Sequence, residues 1–279
     1  MPFTDMEKHI RQMVFNLDES NLLLNAAFKN DNYKILNGLG HEEICLVFCS
    51  SHGVYFQNEV DDFMETIICN DRYEWAHIAA ELLTNVKKII LIRDIRKSFY
   101  ITGINNRQNN IDKLIKLIKN ECNGYRIITI GSSSGGYLAS IIGAKLYAYA
   151  VFCFSGQWNL YEYNDVIEHL FFMNKYADSK MHNKYFNFIQ TVKESEVPIF
   201  YFYPSKSGED VKQAEYVRDV SNVYSLALDS DKHGQGLVTT ESYVKLIMMS
   251  VREVKKLCIS YKGKSISPDR VSELISKIF

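Results

Sequence analysis

Glycine and proline are scarce in this chain of 279 residues, at 14 and 4. That scarcity argues against long disordered segments. A surplus of either charge is also missing. Lys and Arg total 32 against 33 Asp and Glu, a formal net charge of −1. A nucleic-acid partner usually needs a basic face, so none is expected. No apolar run approaches the roughly 18 residues that cross a membrane, so no integral membrane segment is expected. The opening MPFTDMEKHIRQMVFNLDES carries acidic residues and no long apolar stretch, and it does not read as a secretory signal. Paired metal-ligand spacing is absent too. Cys45 and Cys49 have three residues between them and no second ligand pair, which argues against a zinc site. Cys45, Cys49, Cys69 and Cys153 fall in apolar, strand-like runs, whereas Cys122 and Cys258 do not. Buried free thiols in a reducing compartment, the cytoplasm, are the simplest account.

What is present is apolar and periodic. The composition is 47% hydrophobic and 13% aromatic. That suffices for one large core, so a single domain over 1–279 is expected. The runs EICLVFCS (43–50), VKKIILIRD (86–94), YRIITI (125–130), AYAVFCFSG (148–156), VPIFYFYP (197–204) and NVYSLALD (222–229) read as strands. DNYKIL (31–36) reads as a short outer strand and METIICN (64–70) as a further strand. Helical spacing runs through 5–14, 73–84, 109–121, 208–220 and, as one late helix, 242–257. A short helix follows the turn-like ISPD in the tail. Strands alternating with helices predict an α/β fold, a mostly parallel central sheet covered on both faces. The aromatic segment 157–196 is longer than a crossover needs. It is either a small helical cap over the C-terminal strand ends or an ordinary pair of packing helices.

The chemistry gathers at TIGSSSGGYLAS, 129–140, between a strand and an apolar-striped helix. Among the adjacent Ser132, Ser133 and Ser134, only Ser133 has glycine two positions before (Gly131) and two after (Gly135). G-x-S-x-G at such a junction places a serine on a tight, strained turn with helix-start N–H groups behind it. Ser134 would supply the first oxyanion N–H. A serine needs a base and an acid. Of the seven histidines, His169, His182 and His233 follow the serine. His233 sits in LALDSDKHGQG, a strand-end loop that Gly234 and Gly236 let turn, and it is the chosen base. The loop after VPIFYFYP offers Asp210, the chosen acid, with Glu209 as runner-up. The same acids also suit a helix start.

With these residues the chain resembles the α/β-hydrolase family over roughly 40–257, through GSSSG at 131–135, Asp210 and His233-Gly234. The resemblance implies acyl transfer through a covalent acyl-enzyme, without cofactor, by Ser133, Asp210 and His233. The family's HG-type oxyanion segment is matched less faithfully by CSSHG, Cys49 to Gly53. There an N–H of Ser50 or Ser51 would complete the hole. His52, Trp158 and Tyr100 are candidate substrate-binding residues. IRDIRKSFYITGINN (92–106) is either a polar substrate-facing rim or a salt-bridged surface loop. The expected function is a serine hydrolase cleaving a carboxylic ester or thioester of a small polar metabolite or sugar. The alternatives are an O-acyltransferase using the same triad and a catalytically silent binding protein of this fold.

Overall fold

The computed structural model describes residues 20–163, 167–234 and 236–278. The helix expected over 5–14 lies outside them. In chain order the elements are α1 (Leu22–Lys29), β1 (Tyr33–Asn37), β2 (Glu42–Cys49), α2 (Val60–Phe63), a π-helix (Met64–Cys69), α3 (Ala76–Leu82), β3 (Val86–Ile92), α4 (Ile111–Glu121) and β4 (Arg126–Ser132). There follow α5 (Ser134–Lys145), β5 (Ala150–Phe154), α6 (Ile167–Tyr176), α7 (Ile189–Ser195), β6 (Ile199–Pro204), α8 (Gly208–Val217) and β7 (Val223–Leu228). The chain ends in α9 (Thr240–Met248), α10 (Val251–Ser260), β8 (Ser265–Ile266) and α11 (Pro268–Ile278).

The strands form one sheet in the order β1-β3-β2-β4-β5-β6-β7-β8. β1 pairs antiparallel with β3, and every other pairing is parallel. This is the doubly covered α/β architecture the sequence predicts. Side chains alternate across the sheet, as the two-residue strand period requires. Ile44, Leu46 and Phe48 of β2 join the core under α3, α9, α10 and α11. Cys45, Val47 and Cys49 join the opposite core, under α4, α5 and α8. A strand buried on both faces reads as an unbroken apolar run, which is why β2 to β6 stand out in the sequence. Among the described residues, no helix is long and apolar enough to cross a membrane.

Local rules explain the covering helices. α4 begins where the Asn110 side chain accepts from the N–H of Lys113, and it buries Ile111, Leu114 and Ile118 along one stripe. Each such side chain contributes about 1.5–3 kcal/mol when fully buried.

Three elements differ from expectation. METIIC is a π-helix continuing α2, not a strand, and Cys69 at its end is exposed. The late helix is two. It breaks at Met249, and Ser250 restarts it with a capping box to Glu253. The tail adds a two-residue strand, β8, before its helix.

The chain passes from β2 out to β3 and then back to β4 on the other side of β2. The C-terminal ends of β2 and β4 therefore flank the switch point, where open α/β sheets bind ligands. Close approach there depends on glycine. A Cβ on Gly135 would stand 2.1 Å from the Cys49 carbonyl oxygen, and one on Gly131 would stand 2.2 Å from that of Gly135. Gly135→Ala is expected to destabilise the protein by about 1–3 kcal/mol or more through overpacking. Gly208→Ala, where a Cβ meets nothing within 4 Å, is the control. Thermal unfolding of the two variants checks this, and equal melting temperatures would refute it.

Candidate active site

β4 ends at Ser132 and α5 begins at Ser134, so one residue makes the whole connection. That residue, Ser133, has φ 51° and ψ −124°, a conformation L side chains rarely adopt. Its N–H is held by the carbonyl of Phe154 at 2.8 Å, and its own carbonyl accepts from Tyr137 N–H at 3.0 Å. The strained turn is thus fixed from β5 and from the first turn of α5, and it thrusts the hydroxyl out of the junction.

His233 meets that hydroxyl. Its Nε2 lies 2.8 Å from Ser133 Oγ, and its Nδ1 lies 2.9 and 3.0 Å from the two carboxylate oxygens of Asp210. The tautomer that satisfies both contacts donates Nδ1–H to Asp210 and accepts the serine proton at Nε2. Asp210 is buried in the first turn of α8, and Ser207 Oγ donates to its Oδ2 at 2.6 Å. The helix-start reading and the His-partner reading therefore hold for the same residue. Glu209 does not bond the ring. His169 is buried with Nε2 on the Leu160 carbonyl at 2.8 Å, and burial lowers it to about 4. His182 pairs with Ser179 Oγ at 2.7 Å. Neither takes the position beside Ser133.

The loops are tied to one another. Ser132 Oγ donates to the Gly234 carbonyl at 3.1 Å, joining the serine turn to the His233 loop. Tyr100 donates its hydroxyl to the Ser50 carbonyl at 2.7 Å. Asp94 accepts the N–H groups of Arg96, Ser98 and Tyr100 at 2.7–3.0 Å. The polar residues of segment 92–106 therefore form no substrate-facing rim, and of the segment only Phe99 lines the cavity beside Ser133. The segment's first half is a buried, self-bonded turn that props the end of β2.

A cavity of about 330 Å³ opens at Ser133 and His233, lined also by Ser51, His52, Gly53, Glu74, Phe99 and Tyr163. A larger groove of about 890 Å³ runs beside β7 and α10, but its walls carry no histidine, so the smaller cavity is the candidate site. His52 borders the cavity, edge-on to Phe99 with ring centres 4.6 Å apart. Burial, then the charge of Lys97, holds it well below the usual imidazole value. Tyr163 is the one residue of 157–196 at the cavity among those described.

Several expected site residues belong elsewhere. Trp158 is fully buried against Phe188 and Tyr201, outside the cavity. Tyr100 is likewise buried and acts as a prop. Ser50 N–H is spent on the Ile92 carbonyl at 2.9 Å, and Ser51 N–H on Glu74 Oε2 at 2.5 Å. Neither is a free oxyanion donor as expected, because strand pairing claims the first and a carboxylate the second. Ser134 opens α5, so its N–H is among the donors a helix start leaves unpaired.

Sequence reasoning missed Glu74 and Phe99. Glu74 carried a signal: an acid between Tyr73 and Trp75, both buried, has to find a partner. Burial raises its carboxyl, opposed by the bonds from Ser51 and then by Arg72 and His77.

Comparison with protein families finds no matching family model, and no curated protein matches. Solved structures do. The capsule O-acetyltransferase of Neisseria meningitidis serogroup A is 14% identical, with 72% of this chain and 85% of that chain covered and a TM-score of 0.48. A lipase-esterase related protein from Clostridium acetobutylicum is 15% identical, covering 83% and 99%, with a TM-score of 0.47. An α/β hydrolase from the metagenome of lagoon sediments at Mar Chica, Morocco, is 12% identical, covering 78% and 94%, with a TM-score of 0.48. The fold and the roles of individual residues rest on this chain's own topology and geometry.

Proposed function

We propose that this protein is a serine-dependent enzyme that cleaves a carboxylic ester or thioester through an acyl-enzyme on Ser133. One observation carries the reading: Asp210, His233 and Ser133 form a continuous hydrogen-bonded chain ending on a strained strand-to-helix turn. In this reading His233 Nε2 takes the proton as Ser133 Oγ attacks the carbonyl carbon. The charge developing on the substrate oxygen faces the Ser134 N–H at the positive end of α5. The bond to the leaving group breaks, and that group takes the proton from His233. Water, giving a proton to the same nitrogen, then releases the acid and restores the serine. Asp210 holds the imidazole in the required tautomer throughout. No cofactor enters these steps.

The cavity's modest volume and its polar wall of His52, Ser51 and Glu74 suit a small, polar substrate, such as a metabolite or sugar ester. We read 157–196 as a partial cover that reaches the cavity through Tyr163. The six cysteines are free thiols, which fits a reducing compartment such as the cytoplasm. An added alcohol tests acyl transfer: an O-acyl product at the expense of free acid would make the protein an acyltransferase.

A fluorophosphonate probe tests the central claim. The native chain is expected to take up one label, on Ser133 by peptide mapping, and the folded Ser133→Ala variant none. Labelling of that variant at the native rate, or none of the native chain, would overturn the proposal.

A further inference from the structure

The cavity beside Ser133 contains a carboxylate that the proton relay does not use. Glu74 stands partly buried in its wall, with Oε2 on the Ser51 N–H at 2.5 Å and Oε1 on the Ser51 hydroxyl at 2.8 Å. Those two bonds occupy one acceptor site on each oxygen and leave the others. The space over Oε1 is kept open by Gly53, where a Cβ would stand 3.5 Å from it. Arg72 is the foremost charge favouring the carboxylate. Its Nη1 is committed to the carbonyls of Gly53 and Val54, both at 3.1 Å, and its plane to the Phe56 ring. A carboxylate in a desolvated wall gains most from a cation brought beside it.

A further feature of the same cavity points to a cation. The rings of Phe99 and Tyr163 line it, meeting edge to face with centres 5.9 Å apart, and aromatic walls attract ammonium groups. Lys97, the cation whose charge acts on His52, has its Nζ over the Tyr55 ring at 3.9 Å and on Asn58 Oδ1 at 2.8 Å.

We infer that the cavity selects substrates carrying an ammonium cation, and that Glu74 is the residue that reads the charge. The inference rests on the acyl-transfer reading of Ser133 and adds to it the chemical class of the substrate. A purely structural role for Glu74, holding Ser51 and through it the 51–53 loop, would affect every ester alike. A role in recognition alters the ratio between charged and neutral esters.

Two matched pairs measure that ratio. One is para-nitrophenyl glycinate against para-nitrophenyl propionate, with the charge on the acyl side. The other is acetylthiocholine against neohexyl thioacetate, with the charge on the leaving side. The native enzyme is expected to favour the charged member of at least one pair by about 10-fold or more in kcat/KM. Glu74→Gln is expected to bring that ratio to within about threefold while still turning over the neutral member, and Glu74→Asp to restore part of it. A ratio unchanged in Glu74→Gln, or no preference in the native enzyme, would overturn the inference and leave the role of Ser133 standing. Absence of both ester turnover and fluorophosphonate labelling would remove both. A second measurement needs no variant. Tetramethylammonium is expected to slow fluorophosphonate labelling of the native chain at concentrations where tert-butanol does not, and equal effects would count against the inference.

Discussion

Ser133→Ala is expected to lower ester turnover by about three orders of magnitude or more while leaving the fold intact. The lost hydroxyl is the atom 2.8 Å from His233 Nε2, and with it goes the proposed covalent route. The neighbouring serines supply an internal comparison. Ser134 Oγ is buried without a partner, so Ser134→Ala is expected to leave turnover nearly unchanged. Ser132 Oγ holds the Gly234 carbonyl, so Ser132→Ala loosens the His233 loop and costs a modest factor, far less than Ser133→Ala. Steady-state kcat/KM on all three variants, each checked for native circular dichroism, decides the matter. Equal losses would show that Ser133 is not the nucleophile.

Asp210→Asn is expected to be the second most damaging change, at about three to four orders of magnitude in kcat. The carboxylate accepts the Nδ1–H of His233 at 2.9–3.0 Å and the Ser207 hydroxyl at 2.6 Å. An amide of the same shape can turn its NH₂ toward Nδ1, which stabilises the tautomer whose Nε2 carries a proton and cannot accept one from Ser133. The imidazolium formed during attack also loses its counter-charge. Glu209→Gln, one residue away, leaves the ring's partner in place and is expected to have a modest effect. A large loss in Glu209→Gln together with a small one in Asp210→Asn would reassign the acid. Since Asp210 is nearly fully buried, thermal unfolding of Asp210→Asn separates a loss of stability from a loss of chemistry.

The sequence revealed most where burial is continuous and least where partners are distant in the chain. β2 to β6 were plain because strands covered on both faces are apolar throughout. METIIC carries the same residue types, but two acids, Asp61 and Asp62, stand in the first turn of the helix that precedes it. A short apolar run does not distinguish a strand from a helical turn. The break at Met249 was hidden because the apolar spacing runs on across it, and the stop is set by the Ser250–Glu253 box. Ser133 was singled out by the two glycines that the turn requires. His233 and Asp210 were chosen from the order of strand-end loops, and the structure brings all three within hydrogen-bonding distance. Trp158 and Tyr100 were misplaced because an aromatic residue near a strand end serves a core as well as a cleft. The oxyanion donors Ser50 and Ser51 were misassigned for a different reason: the groups that claim their N–H atoms, Ile92 and Glu74, are remote in sequence.

That remoteness also orders events during biosynthesis. Ser133 and His233 are separated by 100 positions along the chain. At roughly 5–20 residues per second on the ribosome, the serine emerges about 5–20 s before the histidine. Asp210 arrives within that interval, and the glycines that shape the serine turn come with the serine itself. Throughout the delay the Ser133 hydroxyl lacks the His233 Nε2 that meets it in the finished fold. Under the proposed mechanism, acyl transfer is therefore expected only after the loop that follows β7 has been made, late in synthesis.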